Sequence, residues 1–186
     1  MQFLGVVAAA LALTGAPAVH TASTGALAPR SVCPGQSALA APPAVQLRAL
    51  RCLINWARRH GGEGALRRSG ELDRSAGMRA DEIRRCQDFS HTPCGQPFTA
   101  VFEVVGYFTG TASVGENLAW GQGPLGCARS TLASWLASPP HREILFNSNW
   151  RDFGVARVSA STLFGRHDVT VWVAQFGRRA LVLPLP

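Results

Sequence analysis

The chain has 186 residues, 47% of them apolar, and a formal charge of +7, which suits a single globular domain with its own core and excludes a disordered, charge-extended chain. All of its basic side chains apart from five histidines are arginine. They fall as scattered pairs at 58/59, 67/68, 84/85 and 178/179 rather than as a run interleaved with stacking aromatics, a solvated basic surface rather than a nucleic-acid footprint.

In chain order, Phe3 to Leu13 is an apolar run of signal-peptide length, too short to span a membrane. Two small-x-small stretches follow it, Ala16-Pro17-Ala18 and Ala26-Leu27-Ala28. Residues 1–28 are expected to be an export signal whose cleavage point is open, and an uncleaved anchor is the alternative because the first residues lack a basic side chain. The Ala-, Pro-, Gly- and Ser-rich stretch 29–43 then reads as a linker or N-terminal arm. No transmembrane segment is expected after the signal.

Leu47, Leu50, Ile54 and Ala57 recur at helical spacing and predict a helix over 44–60, stopped by Gly61-Gly62. Ser69 can cap a second helix with Leu72, Ala76, Ala80, Ile83 and Gln87 on one face, ending near Cys86. His91 then lies on the loop that leaves this helix, where a side chain can project from a fixed scaffold. Pro97 opens a third helix, marked by Phe98, Val101, Phe102 and Val105 and ended by Gly106. After a turn over 110–113 comes a strand, Val114-Gly115-Glu116-Asn117-Leu118-Ala119-Trp120-Gly121, in which a carboxylate sits among small and apolar neighbours. Burying it costs several kcal/mol, roughly, unless a cation or hydrogen bonds meet it.

Ala128, Leu132, Trp135 and Leu136 mark a fourth helix, closed by Ser138-Pro139-Pro140, and His141 opens a further helical turn. Two strands, 153–158 and 169–176, finish the pattern. In the second, Val169, Val171 and Val173 alternate with Trp172, Ala174 and Phe176, so both faces are apolar and both need covering by helices. An α+β fold follows, a three-layer α-β-α sandwich, with Trp135 and Trp172 in its core and His60 and His167 on the surface at element ends.

Five cysteines, at 33, 52, 86, 94 and 127, fit an exported chain. Many pairings are open. The preferred ones are Cys33–Cys52, tying the arm to the first helix, and Cys86–Cys94, closing the loop around His91. Cys127 is the odd thiol, buried and inert or else reactive. A zinc site on Cys86 and Cys94 is the rival reading, without a second close pair to complete it.

The segments Phe89-Ser90-His91-Thr92, Val114 to Gly121, Ser138-Pro139-Pro140-His141-Arg142-Glu143 and Val171 to Gly177 together resemble the signatures of the CAP superfamily, the sperm-coating-protein-like and PR-1-like secreted domains. The resemblance runs from about Leu47 to Gly177, so residues 44–178 are expected to be the CAP domain and 179–186 a C-terminal tail. It implies the same α-β-α architecture and an extracellular location. His91, Glu116 and His141 match positions that line the central cleft in the family, where histidines bind zinc in several animal members. A second cleft glutamate of many eukaryotic members has no counterpart near Trp135-Leu136-Ala137-Ser138.

Two imidazoles and a carboxylate suffice for a weak, solvent-open site for zinc or another divalent ion, with His91 and His141 as its ligands, and equally for a hydrogen-bonded cluster that needs no cofactor. Asn117 is expected to bridge backbone groups of its turn or of the His141 loop. Ser90 more readily caps its loop than acts as a nucleophile. Arg142 and Glu143 either orient the His141 ring or stand as exposed charges. No Gly-x-Ser-x-Gly elbow or His-Glu-x-x-His helix occurs. The expected function is a non-enzymatic binding module for an apolar small molecule, a cell-envelope component or a protein, acting through the cleft of His91, Glu116, His141 and Asn117. The alternatives are a metal-assisted hydrolase with Glu116 as general base, and a protein acting through surface contacts alone with a purely structural cleft.

Overall fold

The computed structural model describes residues 25–108 and 112–179. Most of the stretch expected to be an export signal, the start of the turn before the Glu116 strand and nearly all of the expected tail lie outside the described residues. The elements run α1 (Pro43–His60), β1 (Arg67–Arg68), α2 (Gly70–Cys86), α3 (Ala100–Val104), β2 (Ala112–Gln122), α4 (Ala128–Ala137), α5 (Pro139–Leu145), β3 (Asp152–Leu163) and β4 (Arg166–Arg179), with short 3-10 turns at Pro93–Gly95 and Gly123–Gly126.

The sheet has the order β1-β3-β4-β2, with β1 parallel to β3 and the other pairs antiparallel. β4 behaves as its alternation requires. Trp172, Ala174 and Phe176 join Leu50, Leu53 and Ile54 of α1 and Leu132 and Trp135 of α4 in one core, while Val169, Val171 and Val173 pack with Ala76, Ala80 and Ile83 of α2 on the opposite face. A third cluster, Leu72, Val101, Phe102 and Tyr107, seals α3 against α2. The α-β-α sandwich is thus present, with α2 alone covering much of one face. Gly154 permits this close approach, because a Cβ there would collide with the α2 backbone at Leu72 and Asp73. Buried tryptophans satisfy their indole N–H groups on carbonyls, Trp135 on Leu118 and Trp172 on Gly126, each at 2.9 Å.

Several boundaries differ from expectation. The third helix is only Ala100–Val104, since Pro97–Thr99 is spent on a turn, and Val104 is exposed. The last two strands extend into a long hairpin whose turn residues Phe164 and Gly165 both have positive φ (52° and 67°), the conformation that suits the twist of paired strands. β1, two exposed arginines paired to β3, has no sequence signal of its own. The stretch before α1 expected to be a linker or arm is a packed series of turns, with Cys33 and Gln36 buried.

Both preferred disulfides are present, Cys33–Cys52 and Cys86–Cys94, which removes the rival zinc site on Cys86 and Cys94. Cys127 is free and buried, and its Sγ accepts from Ser130 N at the start of α4.

Candidate functional site

Glu116 lies on β2 directly opposite Gln175 of β4, and both side chains face α2. Its carboxylate has no exposure and is paired with the equally buried Arg79, whose Nε donates to Oε2 at 3.3 Å. Gln175 Nε2 donates to the same oxygen at 2.8 Å, and Ser75 Oγ donates in turn to Gln175 Oε1. The other oxygen, Oε1, takes His91 Nδ1 at 2.8 Å. Each Arg79 nitrogen is engaged as well, with Nη2 on the Phe98 carbonyl at 2.8 Å and Nη1 on Glu82 at 3.2 Å. A buried ion pair is tolerable only when its remaining donors and acceptors are met in this way.

A carboxylate only accepts, so His91 Nδ1 carries a proton, and in the neutral form of the ring Nε2 is the unprotonated nitrogen. The ring is 53% exposed and packs edge-on against Phe98, with centroids 6.2 Å apart. The loop that carries it is closed by Cys86–Cys94 and braced by Ser90, whose Oγ donates to Asp88 at 3.1 Å and accepts from Thr92 N at 3.2 Å. Ser90 is therefore a loop cap.

His141, in the first turn of α5, reaches Ser138 Oγ through Nδ1 at 2.8 Å. Burial, reinforced by the nearby His91, pushes its pKa below the ordinary imidazole value, so it is neutral at pH 7. Asn117 Nδ2 donates to the His141 carbonyl at 3.0 Å and pins α5 to β2, while its buried Oδ1 has no hydrogen-bond partner among the described residues. Arg142 turns back to the Leu136 carbonyl at 3.4 Å and Glu143 is exposed, and among the described residues neither hydrogen-bonds the His141 ring.

A sheet flanked by helices on both faces, with a Gly-Glu-Asn strand beside one loop-borne and one helix-borne histidine, can be set beside known proteins. The family model for the cysteine-rich secretory protein family, CAP, matches residues 52–176. The chain belongs to the CAP family. Solved structures agree on the fold. An outer surface protein from Borrelia burgdorferi is 20% identical with a TM-score of 0.63, covering 75% of this chain and 97% of its own. An extracellular SCP-domain protein from Bacillus anthracis (20% identity, TM-score 0.57, 75% of this chain) and a cysteine-rich secretory protein from Staphylococcus aureus (18%, 0.54, 74%) are matched over only 44% and 40% of their lengths. No curated protein matches the chain.

Within this CAP domain, the triad singled out from sequence divides into a tight pair and a neighbour. His91 and Glu116 are bonded, and Asn117 ties His141 into the same region through its backbone. Among the described residues no hydrogen bond joins His141 to Glu116, and no three His, Cys, Asp or Glu side chains form a metal-holding group. The donor set fits at most two imidazole nitrogens, short of the three protein ligands of a catalytic zinc centre, because both Glu116 oxygens are already engaged.

Arg79, Gln175 and Ser75 were not singled out in the sequence. Gln175 had a signal, a polar residue continuing the buried Val169-Val171-Val173 row. Arg79 had none, being one of several arginines interleaved along α2. A further feature is aromatic. Phe89 and Trp120, the two exposed aromatic side chains among the described residues, both meet Phe164, at 6.1 and 5.9 Å between centroids. Phe89 is two residues from His91, and Trp120 lies on the same face of β2 as Glu116.

Proposed function

We propose that this CAP domain is an exported, non-enzymatic binding module that takes an apolar small molecule, an apolar part of a cell-envelope component or a protein segment at the cleft of His91 and His141. The observation that carries this reading is the enclosure of Glu116. A general base needs a lone pair that its water can reach, whereas this carboxylate has no exposure and both of its oxygens are engaged, by Arg79, Gln175 and His91. Its role is to fix the His91 tautomer. The two rings then offer a few directed polar contacts beside an apolar wall of Phe98 and the Phe89–Phe164–Trp120 cluster, the usual composition of a ligand site. Two intact disulfides support an oxidising, extracellular location. No cofactor is required by this reading, and a divalent ion held weakly by the two Nε2 atoms is compatible with it.

The test uses the purified, oxidised protein, a fluorescent fatty-acid probe and a chromogenic ester. The probe is expected to bind and to lose about tenfold affinity in His91→Ala or His141→Ala, about 1.4 kcal/mol, with no ester turnover whether or not zinc is added. Zinc-dependent hydrolysis abolished by Glu116→Gln in a folded variant would establish the metal-assisted hydrolase instead. Unchanged binding in both folded histidine variants would assign the cleft a structural role and move recognition to the surface.

A further inference from the structure

The two small-x-small stretches near the N-terminus are chemically alike, but the fold treats the second as its own. Ala28 is fully buried and Ala26 nearly so, both in the core shared by α1 and α4. Trp56 of α1 donates its indole N–H to the Gly25 carbonyl at 2.9 Å, with its ring stacked on His60. The Ala28 carbonyl accepts from Arg129 of α4 at 2.9 Å and from the buried Gln36 at 3.4 Å. Gln36 Nε2 is shared with the Pro29 and Cys33 carbonyls, and its Oε1 accepts from Arg129. Residues 25–36 are thus a strap clamped between α1 and α4 and locked by Cys33–Cys52.

From this we infer that the mature protein begins at Val19, released by a leader peptidase that cuts after Ala16-Pro17-Ala18, and that Ala26-Leu27-Ala28 is structural. The inference rests on the export reading above. Cleavage adds water across the scissile amide, leaving a carboxylate on the leader and an ammonium on the mature chain. Spacing, the chemistry of the amide and the fold each place that bond at Ala18–Val19.

The spacing does so because the apolar run ends at Leu13 and the first stretch follows it directly, as the cleavage region of a leader does. The chemistry does so because the bond after Ala28 is an Ala–Pro bond. Pro29 offers no N–H to a peptidase that holds its substrate as an extended strand, and its ring crowds the amide nitrogen. In the fold, cutting there would remove two core side chains and the carbonyl that holds Arg129, and would leave a new ammonium within roughly 5.5 Å of that guanidinium, from the bonded distance plus the peptide geometry.

The experiment is expression of the full chain with its own leader in an exporting bacterial host, followed by intact mass and N-terminal sequencing. The expected product starts at Val19 and retains residues 19–28. A product starting at Pro29 would overturn the inference and leave export standing. Full-length protein held inside the cell would overturn both, and full-length protein at the membrane would overturn the cleavage alone. Ala18→Asp, outside the folded strap, is expected to abolish processing, and a Pro29 product from that variant would also sink the inference.

Discussion

His91 is 53% exposed, yet its Nδ1 is bonded to a carboxylate with no exposure, which is itself fixed by an arginine of α2 and a glutamine of β4. His141 is less exposed, yet its Nδ1 meets only a hydroxyl three residues earlier, and its backbone is held by one asparagine amide. One imidazole is thus positioned by long-range buried charge and the other by local capping chemistry. The difference predicts that the His91 side of the cleft is tied to global stability, whereas the His141 side can be altered with little effect on the fold.

The largest effect is expected from Arg79→Ala, which leaves the Glu116 carboxylate buried without its cation and should lower unfolding free energy by about 3–5 kcal/mol in urea denaturation. Adding Glu116→Gln should recover part of that loss. A cost below about 1 kcal/mol for Arg79→Ala would end the contrast between the two sides. Opening the His91 loop with Cys86→Ser and Cys94→Ser should cost about 2–3 kcal/mol by the loop-closure estimate and weaken probe binding through His91.

Ser138→Ala is expected to cost only about 1 kcal/mol, the ordinary worth of one hydrogen bond. NMR titration sharpens the same point. Because the His141 pKa is lowered in the fold, its neutral form contributes stability that is complete above the unfolded value near 6.5 and is lost as pH falls below it. In His91→Ala the His141 pKa should rise, while staying below the ordinary value because burial, the larger cause, remains. An unchanged titration would show that the two rings do not sense each other.

The smallest effect lies outside the cleft, at Glu71. Ser69, the backbone at the start of α2 and Arg179 hold its pKa at about 2. Its stabilisation is present above the unfolded value near 4.5 and fades as pH falls toward 2. With the side chain 37% exposed, screening limits the gain, and Glu71→Gln should cost less than about 1 kcal/mol at neutral pH and nothing near pH 2.

Much of this architecture was legible before any coordinates. The alternation of β4 forced helices onto both faces, Gly61-Gly62 and Ser138-Pro139-Pro140 marked helix ends that the structure keeps, and an acidic residue in an apolar strand announced that partners must exist. Cys86 and Cys94, close in sequence on either side of His91, made their pairing a natural preference. The bounds of the third helix and the existence of β1 were less legible, because Pro97–Thr99 is spent on a turn despite its periodic apolar residues and a two-residue strand carries no period at all.

By itself, then, the sequence determined the local quantities: periodicity, breakers, cysteine spacing, and the presence of two histidines and a carboxylate in motifs shared with the CAP family. Which groups meet that carboxylate was decided only by tertiary structure. Strand register sets Gln175 against Glu116, and the packing of α2 on Gly154 delivers Arg79 and Ser75 to the same point. These contacts join residues from 37 to 100 positions apart, and no local pattern encodes them. A buried charge specifies that it must be compensated, but the fold selects the compensating group.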